Sequence, residues 1–263
     1  MSLDLSYSGS SFCDLLAGRL PLLLTRWESL QLSPDDMVPI SKGTTVLALK
    51  YREGAVIAGD RQATEGTQIA TRRIEKVFKT DEHSAIAIAG VAGPCLELAR
   101  LFQTELEHYE KLEGVELSTE GKANKLAQMV KMNFPMALQG LLVIPIFVGY
   151  DVKRGDGKIY KYDVTGGRFE EAEYHATGSG GSHARATMKK IYRADTDAAG
   201  AIHTAVEALY DAAEEDIGTS GPDFVRGIFP TIKTVTTSGI LDVEEDRVRA
   251  VCQQAFEARS RSH

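Results

Sequence analysis

From Thr44 onward the chain switches between two-residue and 3.6-residue hydrophobic periods in short, well-punctuated stretches. Thr44 to Lys50 reads as a strand, Glu53-Gly54 as a turn, and Ala55 to Gly59 as the partner strand. Lys76 to Lys79 and Ser84 to Gly90 form a second hairpin around Asp81-Glu82-His83. Two helices follow. Cys95, Leu98, Phe102, Leu106 and Tyr109 keep steps of three and four, and so do Ala123, Leu126, Ala127 and Val130. Strands return at Leu141 to Tyr150 and Lys158 to Val164, then helices at His183 to Tyr192 and Ala198 to Asp216. A strand near Gly227 to Thr237 and a helix from Glu244 to about Arg259 complete the pattern. Strand pairs alternate with helix pairs, whereas a doubly wound parallel sheet would alternate single strands and helices. The pattern predicts an α+β fold: two stacked antiparallel sheets with a helix layer outside each.

Residues 1–43 break from this regularity. Ten of them are leucine, and Trp27, the only tryptophan, lies here. No clean period runs through the segment, which reads as an N-terminal arm or as a removable prosegment.

Composition narrows the class. Of 263 residues, 43% are hydrophobic and 25% charged, ordinary values for a soluble globular protein. The net charge of −7 argues against a general nucleic-acid binder. Cys13, Cys95 and Cys252 lie far apart without a CxxC, so neither a zinc site nor a disulfide framework is expected, and a cytoplasmic home is. No membrane span is expected: Leu15 to Leu24 is interrupted by Arg19 and Pro21 and is half the ~20 residues needed. Leu141 to Val148 contains Pro145 and suits a buried strand. The residues before Leu15 carry Asp4 and Asp14 but no basic residue, unlike a secretory signal.

The familiar chemical motifs are absent. There is no P-loop, no HExxH and no Cys/His cluster, so neither a metal nor a cofactor is expected. Gly178-Ser179-Gly180-Gly181 precedes a helix but lacks the third glycine of a dinucleotide loop, and Thr177 does not suit a nucleophile elbow. His83, His108, His175, His183, His203 and His263 are scattered and read as surface histidines. What remains is Gly43-Thr44-Thr45 at the composition boundary, opening a strand. Asp60 follows sixteen residues later on the paired strand, and Lys76 sixteen further on. Alone, Asp60 is a turn residue and Lys76 a surface lysine; at adjacent strand ends they can converge on Thr44.

With Ala58-Gly59-Asp60-Arg61-x-x-Thr64, Lys76, Ala89-Gly90-x-Ala92, Gly178-Ser179-Gly180, Ala208-Leu209-Tyr210-Asp211-x-x-x-x-Asp216 and Gly221 to Pro230, the chain from Thr44 onward resembles proteasome β subunits of the actinobacterial type. The resemblance implies an N-terminal-nucleophile hydrolase with a four-layer αββα sandwich over residues 44–263. Residues 1–43 stand where those proteins carry a propeptide removed by self-cleavage between Gly43 and Thr44. It further implies a threonine protease: Thr44 as nucleophile, Asp60 and Lys76 as its supporting pair, Gly90 supplying the oxyanion N–H, and Ser179, Asp216 and Thr219 around the threonine amine. Departures fall in the outer support: Thr219-Ser220-Gly221 where many relatives have Ser-Gly-Gly, Gly93 where an aspartate is common, and Gly181-Ser182 after Gly180. By register from Thr44, Ala63, Ile74, Phe78, Ile88 and Ala92, with Thr64 and Gly90, border the substrate site, and the wall is apolar and uncharged. Hydrophobic residues before the cut are therefore expected to be preferred.

The chemistry suits these residues. A threonine hydroxyl needs a base. Cutting Gly43–Thr44 frees an α-amine with an ordinary pKa of ~7.7–8.0, near working pH. Lys76 can act by its charge or, if neutral, as the base; both remain open at this level. The implied partners are α subunits, other β subunits in seven-membered rings stacked in pairs, a ring ATPase, and unfolded or tagged protein substrates. Two alternatives belong beside this reading: a simpler ATP-dependent peptidase of the same superfamily, or a non-catalytic ring or assembly subunit.

Overall fold

In a computed structural model describing residues 43–66 and 68–261, β1 (Thr45–Tyr51) and β2 (Gly54–Gly59) form the expected first hairpin. Residues 1–42 of the expected segment 1–43, with Cys13 and Trp27, lie outside the described residues, as does His263. β1 and β2 are near-continuous apolar runs because both of their faces are buried. Val46, Ala48, Ala55 and Ile57 face a second sheet, while Leu47, Leu49, Val56 and Ala58 face helices.

The short pair β3 (Ala63–Glu65) and β4 (Gln68–Thr71) comes next, then β5 (Val77–Lys79) and β6 (Ser84–Gly90). Helices α1 (Ala92–Glu113), α2 (Thr119–Met132) and the single turn α3 (Phe134–Ala137) follow. β7 (Val143–Asp151), β8 (Asp156–Tyr162), β9 (Arg168–Glu171) and β10 (Tyr174–Gly178) lead to α4 (Gly181–Ile191) and α5 (Ala198–Glu215). The described chain ends with β11 (Thr231–Thr236), β12 (Gly239–Asp242) and α6 (Glu245–Ser260).

Two five-stranded antiparallel sheets result, ordered β10-β1-β2-β11-β12 and β5-β6-β7-β8-β9. Val46, Ala48, Ile57 and Val235 of the first meet Val77, Ala87, Ile146 and Val148 of the second in a central core. Outside the first sheet, Leu47, Leu49 and Ile232 pack on Met188, Ile202, Leu209 and Cys252 of α4, α5 and α6. Outside the second, Ile86, Phe147 and Tyr160 pack on Leu98, Phe102, Leu126 and Val130 of α1 and α2. The order helix, sheet, sheet, helix is the expected α+β sandwich.

Six short elements were not expected from the pattern: β3, β4, α3, β9, β10 and β12. β4 is exposed at all four residues, so it carries no alternation. β10 buries only Ala176 within its five residues, yet it pairs along β1. Four further readings change. Lys76 precedes β5 instead of opening it, and β11 starts at Thr231 because a turn closed by the Asp223–Ile228 bridge occupies the preceding residues. Tyr109 lies on the exposed side of α1. His175 is not a surface histidine: its side chain is 15% exposed beside Glu171. Burial pushes its pKa down to about 4, Glu171 opposing the shift. Among the described residues, no helix is long and apolar enough to cross a membrane.

Candidate active site

The β1–β2 register sets Gly59 opposite Val46, so Asp60, one residue on, comes level with Thr45. The Asp60 N–H donates to the Thr45 carbonyl at 3.1 Å. Asp60 is 1% exposed, and a carboxylate so buried must be saturated with donors. Its Oδ1 accepts the Thr45 N–H at 2.9 Å and the Lys76 ammonium at 2.6 Å. Its Oδ2 accepts the N–H groups of Gln62 and Ser220 at 3.0 and 3.1 Å and the Ser220 hydroxyl at 3.4 Å. Lys76 is equally enclosed, 4% exposed, and its carbonyl accepts the Ile88 N–H at 3.0 Å. Burial holds the Lys76 ammonium below lysine's ordinary range, with Asp60 pulling the other way. A lowered pKa brings the neutral amine, a proton acceptor, within reach.

The opposite side of Thr44 is built by β10. Thr45 pairs with Gly178, so the chain leaving β10 passes directly alongside Thr44. The Ser179 N–H donates to the Thr44 carbonyl at 2.9 Å, and the Thr44 N–H donates to Ser179 Oγ at 3.2 Å. Gly178 has φ +98°, and a Cβ there would lie 2.0 Å from the Thr44 carbonyl oxygen, so only glycine fits. Ser179 Oγ donates to Asp216 Oδ2 at 2.5 Å, and so does Thr219 Oγ1. Asp216 sits at the C-terminal cap of α5. Thr44 thus lies between two carboxylate networks.

Thr44 itself is 6% exposed, and its hydroxyl donates to the carbonyl oxygen of Gly43 at 2.5 Å. Gly43 abuts Gly218: a Cβ on Gly43 would lie 2.4 Å from Gly218 Cα, and one on Gly218 would lie 2.2 Å from Gly43 Cα. Close packing, more than backbone freedom, therefore requires glycine before Thr44.

Ala63, Ile74, Phe78, Ile88, Gly90 and Ala92 line one narrow pocket that opens at Thr44 and Lys76. Thr64 is not among its lining. It borders a second, wider cavity on the far side, with Gly43, Ser179, Asp216 and Gly218. The expectation of an uncharged wall is corrected by Glu75, which also lines the narrow pocket. Its carboxylate accepts the Val77 N–H at 3.2 Å and the Thr231 hydroxyl at 3.4 Å. Cys95 and Leu96 extend the apolar wall; burial pushes the Cys95 thiol up to about 12, so it stays neutral. Gly90 has φ +140°, and a Cβ there would lie 2.0 Å from the Leu142 carbonyl oxygen.

Thr45, Gln62, Ser220, Glu75, Cys95 and Leu96 also belong to the site, although the sequence alone assigns none of them a role there. Strand alternation offered the one usable signal: Thr45 shares a face with Leu47 and Leu49, and a polar group in that row needs partners. Among the described residues, no group of three or more His, Cys, Asp or Glu is placed to hold a metal.

Comparison with known proteins places this geometry in context. A sequence model of the family described as "Proteasome subunit" matches residues 40–225. The "Proteasome subunit beta" of Acidothermus cellulolyticus is 51% identical over 255 residues, covering 95% of this chain and 87% of that protein. That of Acidimicrobium ferrooxidans is 52% identical over 219 residues, covering 83% and 80%. The "Proteasome subunit beta 1" of Rhodococcus erythropolis is 48% identical over 266 aligned positions, covering 95% and 90%.

Proposed function

The chain belongs to the proteasome subunit family, as a bacterial β-type subunit with the family's peptidase activity, and we propose that it is a threonine protease that releases its own nucleophile. The supporting observation is the Thr44 hydroxyl, held 2.5 Å from the carbonyl oxygen of its own preceding residue beside a buried lysine–aspartate pair.

Two reactions share the site. In the first, Thr44 Oγ attacks the Gly43 carbonyl carbon. The Thr44 nitrogen is still an amide and has no basic lone pair, so the base for this step is Lys76. Its lowered pKa makes the neutral amine accessible. Collapse of the tetrahedral intermediate expels the Thr44 nitrogen, which takes up a proton, and leaves an ester between Gly43 and Thr44 Oγ. Water hydrolyses the ester, residues 1–43 depart as a propeptide, and residues 44–263 remain as the catalytic domain. In the second reaction, the same hydroxyl attacks a peptide substrate. The Gly90 N–H receives the oxyanion, a contribution often worth ~3 kcal/mol per donor. Asp60 orients Lys76, while Ser179, Asp216 and Thr219 orient the new amine.

The narrow apolar pocket favours Tyr, Phe or Leu before the cut, with Glu75 at its wall disfavouring acidic residues. In the assembled state the subunit occupies seven-membered β rings stacked between rings of α subunits in the cytoplasm. A ring ATPase feeds it unfolded or tagged chains.

The test is a Thr44→Ala substitution in the full chain, co-assembled with α subunits. Intact mass should show residues 1–43 still attached, and hydrolysis of an apolar fluorogenic peptide should be lost. A Thr44→Ala particle that is processed or active would overturn the assignment.

A further inference from the structure

Next to Thr44 is a second threonine that this scheme leaves idle. Thr45 is completely buried, on the face of β1 that Leu47 and Leu49 turn toward the helices. Its hydroxyl accepts the Gly180 N–H at 3.1 Å and lies 2.6 Å from Thr219 Oγ1. Counting protons gives this contact a direction. Thr219 has a single hydroxyl hydrogen and gives it to Asp216 Oδ2 at 2.5 Å, an oxygen that as a carboxylate only accepts. Thr45 is therefore the donor to Thr219. The chain runs from Gly180 N–H to Thr45, from Thr45 to Thr219, and from Thr219 to Asp216.

A second chain meets it at the same oxygen. The Thr44 N–H donates to Ser179 Oγ at 3.2 Å. The Ser179 hydrogen goes to Asp216 Oδ2 at 2.5 Å in preference to the Thr44 carbonyl at 3.3 Å. Gly180 follows Ser179 directly, so Thr45 grips the Ser179 backbone from one side and, through Thr219, its carboxylate partner from the other. The approach is so close that a Cβ on Gly180 would lie 2.4 Å from Thr45 Oγ1. Thr45 also reaches the other network, through its N–H to Asp60 Oδ1 at 2.9 Å.

We propose that Thr45 is a positioning residue of the hydrolytic site, its hydroxyl locking Ser179 and Asp216 so that Ser179 Oγ always faces the Thr44 nitrogen as an acceptor. Once the α-amine is free, one of its N–H bonds is held toward Ser179 and its lone pair is left for the proton of the nucleophile. This inference rests on the reading of Thr44 as nucleophile.

The test uses the full chain assembled with its α partners. Thr45→Val keeps the shape and deletes the hydroxyl; Thr45→Ser keeps the hydroxyl. For a fluorogenic peptide with an apolar residue before the cut, Thr45→Val should lower kcat roughly tenfold, the scale of one buried polar group left unpaired. KM should not change, because the apolar pocket lies on the other side of Thr44. Thr45→Ser should restore kcat. In a Ser179→Ala background, Thr45→Val should add no further loss, since it acts through Ser179. An unchanged kcat, a loss confined to KM, or the same fractional loss in both backgrounds would each overturn the proposal. If Thr45→Val does not assemble, Thr219→Val cuts the same chain one link later and must show the same kcat loss and the same lack of additivity. Thr44→Ala run in parallel separates the two claims: activity retained there removes the nucleophile assignment, whereas an inactive Thr44→Ala beside a fully active Thr45→Val removes only the role of Thr45.

Discussion

The two sides of Thr44 are built on opposite principles. On one, Asp60 and Lys76 are 1% and 4% exposed, and the carboxylate is saturated by donors from β1, from the chain after β2 and from Ser220. On the other, Ser179 is exposed and Asp216 half-buried, between the start of α4 and the end of α5, beside a cavity that also borders Gly43. A dry, low-dielectric side suits proton transfer, because charge interactions there are strong and poorly screened. The other side is open, with a cavity that reaches Gly43. The contrast implies that damage to the first side should be felt by the whole fold, and damage to the second mainly by the reaction.

Asp60→Ala and Asp216→Ala put this difference at its sharpest. Removing Asp60 strands a buried lysine together with the N–H groups of Thr45, Gln62 and Ser220. The expected loss is ~3–5 kcal/mol of stability, with no self-cleavage. Removing Asp216 should cost about 1 kcal/mol, because solvent reaches Ser179. Chemical denaturation of the two variants checks the ratio; equal losses would erase the distinction between the sides.

Gly43→Ala should act on one reaction alone. Its Cβ would run into Gly218, so self-cleavage should slow by roughly tenfold or more, as for a core position with no room. Molecules that do process become identical to the unaltered enzyme, so their peptide hydrolysis should be unchanged. Intact mass against time, followed by hydrolysis per processed subunit, reads both.

The smallest effect is a shift in pH dependence. Only neutral Lys76 can accept the Thr44 proton, so self-cleavage should rise with pH through the folded pKa of Lys76. Burial has lowered that pKa, and the rate should therefore level off below lysine's ordinary ~10.4. A rate still climbing at about pH 10 would mean that the dry side does not lower it.

The same contrast governs what the sequence discloses. Asp60 directly follows β2 and Lys76 directly precedes β5, so two strand boundaries that the hydrophobic pattern marks carry them to Thr44, and their spacing is readable. Of the pocket residues, Phe78, Ile88 and Gly90 follow from alternation along β5 and β6, whereas Ala63, Ile74 and Ala92 come from β3, a loop and the start of α1. Ser179 follows only from the resemblance, since its position depends on β10, a mostly half-buried edge strand with one buried residue and no clear period. Asp216 and Thr219 likewise reach Thr44 through tertiary pairing that no local pattern encodes. Glu75 was missed because a carboxylate beside a strand reads as a solvated residue. Here it is tied to Val77 and Thr231 and forms part of the pocket lining. For Thr45 the alternation says only that a polar group in the row of Leu47 and Leu49 needs partners; Gly180 and Thr219, which supply them, are brought there by tertiary pairing.

Chain ends usually fray, since nothing precedes them to share the cost of ordering. β1 is second in its sheet, with β10 on one side and β2 on the other, and the two ladders begin at Thr45–Gly178 and Val46–Gly59. A terminus created by cutting before Thr44 is therefore laced from both sides within its first three residues. Backbone amides there should exchange with solvent as slowly as those in mid-sheet, and should do so whether or not the preceding segment is attached. A catalytic group borne on the first residue of a chain would ordinarily have to be captured anew at each turnover. Here the new end inherits the stillness of a strand interior, and entropy that a frayed terminus would surrender on binding substrate has already been surrendered in folding.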